Sequence, residues 1–154
     1  MTHDILGEIR RPGGDGFDGA ATIRHGRRAI SIRMDRDDQP FEVTLELAAE
    51  VVRRLPELDK IAKGIAVADL RETYNNGWNE YDEVREDGSL GAVSNPQLSE
   101  AEFEAKLSLN AVNVTGGRVL DFFYDDEGMF WGHSVVVTSL NGPDLGGAHA
   151  ELLG

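Results

Sequence analysis

Asp121, Asp125, Asp126 and His133 are of the side-chain types that hold divalent metals or move protons. Carboxylate oxygens and an imidazole nitrogen suit several divalent ions when gathered on one surface. An imidazole beside a carboxylate is also a pairing that a general base needs. The spacing argues against both uses. Asp125 and Asp126 stand in the turn-forming run Asp125-Asp126-Glu127-Gly128, where aspartate serves the backbone. His3, His25 and His149 are scattered, with no His-Glu-x-x-His spacing. Ser134 adjoins His133, but neighbours on a strand point to opposite faces and form no dyad. We therefore expect no metal, no cofactor and no catalytic residue.

A second set has the chemistry of contact. Trp78 is followed by Glu80, Asp82, Glu83 and Glu86, and Trp131 stands beside His133 in the Phe130–His133 run. A ring beside carboxylates offers a basic protein buried area and electrostatic steering. The plainer use of Trp78 and Trp131 is at the edge of the core, with each indole N–H bonded to loop backbone. The candidate binding residues are thus Trp78, Glu80, Asp82, Glu83, Glu86, Asp121, Asp125, Asp126, Trp131 and His133.

The element that must position most of them is Gly117–Leu140. Two apolar, aromatic and β-branched runs, Val119–Tyr124 and Phe130–Ser139, flank the Asp-Asp-Glu-Gly turn and predict a hairpin. With Asp126–Gly128 as its loop, Asp125 faces Met129, Phe123 faces Trp131 and Asp121 faces His133. One face then carries Leu120, Phe122, Tyr124, Phe130, Ser134 and Val136.

Upstream, Ile5–Arg11 reads as a first strand, and Thr22–Arg24 with Ala29–Met34 as a hairpin about His25-Gly26-Arg27. Thr44 is placed to cap a helix over Leu45–Leu55, striped by Leu47, Val51 and Leu55. Pro56 opens a second helix over Glu57–Asn75, and Gly77 is placed to end it in the left-handed conformation. Trp78–Asn95 is acidic and irregular, with Glu83–Arg85 and Leu90–Val93 able to pair. Ser99-Glu100-Ala101-Glu102 is a capping box and predicts a helix over Glu100–Leu107. Leu109–Thr115 reads as a strand entering the hairpin, and Ala148–Leu152 as a short last strand. Short-linked strand runs favour antiparallel pairing. The fold class expected is α+β, one domain over residues 1–154, a mainly antiparallel sheet with helices on one face.

The totals bound the partners. A formal charge of −13 repels nucleic acid and attracts a basic protein. There is no cysteine, which excludes disulfide and thiolate chemistry and fits a reducing compartment. The N-terminus has no signal-peptide pattern, and no run approaches the roughly 20 apolar residues of a membrane span. A cytoplasmic protein is the expectation.

Leu70–Trp78 and Asp125–His133 match, as they stand, two signatures: a Leu-x-x-x-Tyr-Asn-x-x-Trp helix end and an Asp-Asp-x-x-x-Phe-Trp-Gly-His strand. Together they resemble an uncharacterised bacterial family, a domain of unknown function. Leu6-Gly7 and Leu153-Gly154 are similar to that family's ends. Acidic domains with similar hairpins occur among candidate immunity proteins of toxin systems. The resemblance implies a non-enzymatic binding protein, an immunity-type partner of a basic toxin. The competing class is a small enzyme or metal-dependent domain using His133 and the nearby aspartates.

Overall fold

Local chemistry starts most of the elements, and one mixed sheet collects them. The computed structural model describes residues 1–154. The chain opens with β1 (Thr2–His3) and β2 (Gly7–Glu8), a two-residue pair. The expected strand over Ile5–Arg11 shrinks to the two residues of β2. His3 Nδ1 accepts from the backbone N–H of Ile5 and Leu6 at 3.1 and 3.3 Å and turns the chain, so Leu6 and Ile9 drop into the core.

Next come β3 (Gly19–His25) and β4 (Arg28–Asp35), the expected hairpin, closed by Gly26-Arg27. Helices α1 (Phe41–Arg53) and α2 (Leu55–Thr73) follow. Thr44 does not cap α1. Burial of Phe41, under the Arg11 guanidinium at 3.7 Å from the ring centroid, moves the helix start upstream and leaves Thr44 buried inside it. A π-turn, Tyr74–Trp78, carries the end of α2 through Gly77, whose φ of 165° is extended rather than left-handed.

β5 (Glu80–Val84) and β6 (Leu90–Ser94) pair only with each other. The short helix α3 (Glu100–Ala105) then leads into β7 (Ser108–Thr115), β8 (Val119–Asp125), β9 (Ser134–Ser139) and β10 (His149–Leu153). The capping box forms as read. Glu102 N–H donates to Ser99 Oγ at 3.2 Å, and Ser99 N–H to Glu102 Oε1 at 3.1 Å.

The main sheet has the order β10-β9-β8-β7-β4-β3. Every neighbouring pair is antiparallel except β4–β7, which is parallel. Three helices separate those two strands, and a crossover of that length is what a parallel pair needs. The protein is therefore a single α+β domain with a mainly antiparallel sheet. Ile30, Ile32, Met34, Val112, Val114, Leu120, Phe122, Val135 and Val137 are buried on one face, under Ala48, Val51, Leu58, Ala62 and Ala66 of α1 and α2.

The β8–β9 register differs from the expected one. Asp121 faces Thr138, Phe123 faces Val136 and Tyr124 faces Val135; Asp121 and His133 are not opposed, nor are Phe123 and Trp131, nor Asp125 and Met129. The connection runs over Asp126–His133 as a chain of turns, with Met129, Trp131 and His133 N–H bonded to the carbonyls of Asp126, Gly128 and Phe130. Phe130 is fully buried, so its side chain anchors the loop instead of extending β9. The slip is odd in residue count. Val135 and Val137, not Ser134 and Val136, share the core face with Phe122.

Candidate functional site

The end of α2 sets the site's foundation. Asn75 grips the Leu98 backbone twice, donating from Nδ2 to its carbonyl at 3.0 Å and accepting its N–H at Oδ1 at 2.8 Å. Asn79 Nδ2 donates to the Asn95 carbonyl at 2.9 Å, and Asn95 N–H returns a bond to the Asn79 carbonyl at 2.7 Å. These clamps hold both ends of the β5–β6 ribbon against the helix. Beyond them the ribbon stands free, with every residue from Glu80 to Leu90 exposed.

A chain of rings runs from the core to the ribbon. Phe103, Tyr74 and Phe130 meet edge-to-face with centroids 5.9 to 6.5 Å apart. Trp78 lies on Phe130 at 5.4 Å and on Trp131 at 4.6 Å, and Trp131 reaches Tyr81 of β5 at 6.4 Å. Phe130 is fully buried, whereas Trp131 is 56% exposed. Trp131 has φ 56° and Glu127 φ 55°, left-handed values that cost a non-glycine residue on the order of 1–3 kcal/mol each.

What holds this geometry is Asp126. Its buried carboxylate accepts the N–H of Gly128 at 3.0 Å and of Phe130 at 3.1 Å. Asp126 therefore organises the loop from beneath. Trp131 stands between two open grooves. One, about 540 Å³, is lined by Glu72, Thr73, Asn76, Gly77, Trp78 and Trp131. The other, about 410 Å³, has Trp78, Tyr81 and Trp131 among its walls with Glu127 and Lys106 at its side.

The remaining candidates fall in separate places. His133 Nδ1 lies 2.9 Å from the Phe130 carbonyl and its ring meets Trp78 edge-on at 5.3 Å. It joins the two tryptophans but meets no carboxylate. Asp121 accepts from Thr138 Oγ1 at 2.6 Å on the open face of the sheet, in one row with Arg33 and Asn113. Asp125 lies at the strand end, 3.7 Å from Arg28. No group of three or more His, Cys, Asp and Glu side chains is arranged so that it could hold a metal ion. Glu80, Asp82, Glu83 and Glu86 are all exposed, and none pairs with a basic group of the chain. Glu80 and Asp82 share one ribbon face with Val84; Glu83 shares the other with Tyr81.

Sequence reasoning missed Tyr81, Lys106 and Glu127 as parts of this surface, and also a buried polar cluster elsewhere. Asp59, next to Leu58 on the buried side of α2, accepts from Tyr124 Oη at 2.7 Å and lies 2.8 Å from His25 Nε2 and 3.6 Å from Lys63 Nζ. Burial, and then the Asp59 charge, push the Tyr124 hydroxyl far above the ordinary tyrosine range. Tyr124 is thus a fixed donor, and Asp59 a fully partnered acceptor. The signal in the sequence was an aspartate interrupting an apolar helical stripe.

A family model matches residues 3–144. The chain belongs to the family described as "Uncharacterized protein conserved in bacteria (DUF2262)". The DUF2262 match includes the helix end, the ribbon and the Trp131 loop, and it stops before β10, short of Leu153-Gly154. No curated protein and no solved structure matches the chain. No helix is long and apolar enough to cross a membrane.

Proposed function

We propose that this DUF2262 domain is a non-enzymatic, cytoplasmic protein-binding module whose partner is a basic protein, in the manner of an immunity protein that covers a basic toxin. The observation that carries this reading is the β5–β6 ribbon, whose Glu80, Asp82, Glu83 and Glu86 project into solvent without a counter-ion of their own. The ribbon's one basic residue, Arg85, lies over Gly91 and forms an ion pair with none of them, and their charge adds to a net −13. At physiological salt the field of a surface charge decays over about 8 Å, so a projecting ribbon meets an approaching protein before the body of the domain does. The same charge repels nucleic acid. The half-exposed Trp131 beside the ribbon offers the large ring area on which interfaces concentrate binding.

The test is kinetic. The domain is immobilised, proteins retained from its host's extract are identified and purified, and association is followed by stopped flow over a range of salt. The association rate is expected to fall steeply as salt rises. Changing Glu80, Asp82, Glu83 and Glu86 together to Gln or Asn is expected to slow association far more than it speeds dissociation. A partner whose association ignores both salt and these four changes refutes the reading.

A further inference from the structure

The smaller groove beside the ribbon has a more specific chemistry than the ribbon's charge. Its walls include Tyr81 and Trp131, rings that meet at 73° with centroids 6.4 Å apart, and Trp78 lies beneath. Its one carboxylate is Glu127, which already holds an ammonium: Lys106 Nζ lies 3.6 Å from Glu127 Oε2. The side chains of that pair are 38% and 63% exposed, so water screens it and the lysine is free to leave. Aromatic faces beside a carboxylate are the environment that binds a lysine or arginine head, by attraction of the cation to the ring and by the ion pair.

The backbone supports the same use. Trp131 is held outward in a left-handed conformation while Met129 and Phe130, its neighbours in the loop, are buried. Trp131 packs on Trp78 and Tyr81 and still leaves more than half of its surface open to solvent. We propose that this groove is a subsite for one basic side chain of a protein partner, which takes the place of Lys106 on Glu127 and lies against Trp131 and Tyr81. It rests on the basic-partner reading above and adds to it where the partner's cation goes.

Both tryptophans of the chain line this groove and the larger one, so intrinsic fluorescence reports on the surface around Trp131, and the Lys106 and Glu127 variants assign the response to this groove. The probes are capped peptides of alternating glycine and arginine, or glycine and lysine, with a glycine-serine peptide as the neutral control. Filling the groove is expected to shift tryptophan emission. Lys106→Ala is expected to tighten binding by about threefold more than Lys60→Ala, which removes the same charge from an exposed turn of α2. Glu127→Gln is expected to weaken binding by roughly tenfold, the loss of a charge-assisted contact. A stronger arginine response than lysine assigns the rings the larger share, and the reverse assigns it to Glu127; either supports the subsite. Equal effects of Lys106→Ala and Lys60→Ala, or binding with unchanged emission, overturn it. If that binding is still lost when the four ribbon carboxylates are neutralised, the basic-partner reading stands and only the subsite fails. No difference between the basic and neutral peptides defeats both. Melting curves confirm that each exposed-site variant is folded.

Discussion

Asp126→Ala is the sharpest perturbation of the Trp131 loop. The carboxylate holds two backbone donors, Gly128 N–H and Phe130 N–H, at 3.0 and 3.1 Å. Phe130 is fully buried, so its N–H finds no water once the acceptor is gone, whereas the exposed Gly128 N–H does. A buried unsatisfied donor costs about 1–3 kcal/mol, and the lost charged acceptor adds part of a second bond. The expected destabilisation is therefore about 3 kcal/mol, a large share of the roughly 5–15 kcal/mol that holds a domain together. For a chain of this size it lowers Tm by roughly 6–12 °C. Asp126→Asn keeps one carbonyl acceptor and should lose about half as much. Urea melts followed by circular dichroism give the stability. The native emission should move to the red, because Trp78 and Trp131 are positioned by this loop. A midpoint for Asp126→Ala within error of the parent, or an Asn variant as unstable as the Ala one, refutes the hydrogen-bond argument.

Ser99→Ala should cost about 1 kcal/mol in the same melts, since α3 loses its N-cap acceptor; an unchanged midpoint contradicts the cap. The Ser99 backbone N–H, then its side chain, hold the Glu102 carboxyl below its ordinary 4.5, so the advantage of the parent over Glu102→Gln should be present above pH 4.5 and vanish as pH falls below it. Tyr124→Phe should cost about 2 kcal/mol, because Asp59 loses a buried donor and keeps only His25 and Lys63. With the Tyr124 hydroxyl pushed up by burial, stability should also fall as pH rises beyond 10.0, where the unfolded tyrosine ionises and the folded one does not; a Phe variant should show less of that fall. Calorimetry with calcium, magnesium, zinc and manganese should show no tight binding, and micromolar binding that His133→Ala abolishes would contradict this.

The features legible in the sequence are those closed by near neighbours. The Ser99–Glu102 box needs only residues three apart, and the β3–β4 hairpin only a two-residue turn between alternating apolar runs. The exposure of Glu80–Asp87 followed from a run with too little apolar surface to bury. The helix end with Trp78 and the Asp125–His133 signature, far apart in the chain, meet in the fold, where Trp78 packs on Trp131 and His133. The length of the loop that presents Trp131 depends on Phe130 finding Tyr74 and Phe103, residues far away along the chain, and no local pattern reports that contact. Once Phe130 is buried there, β9 starts at Ser134, the register shifts by an odd number, and Asp121 turns to Thr138 instead of His133. The parallel β4–β7 pair and the Asp59–Tyr124 bond have the same origin. Each joins segments that only the packing of α1 and α2 onto the sheet brings within reach, so sequence alone determined the pieces and their surface charge, while tertiary packing decided which side chains share a site.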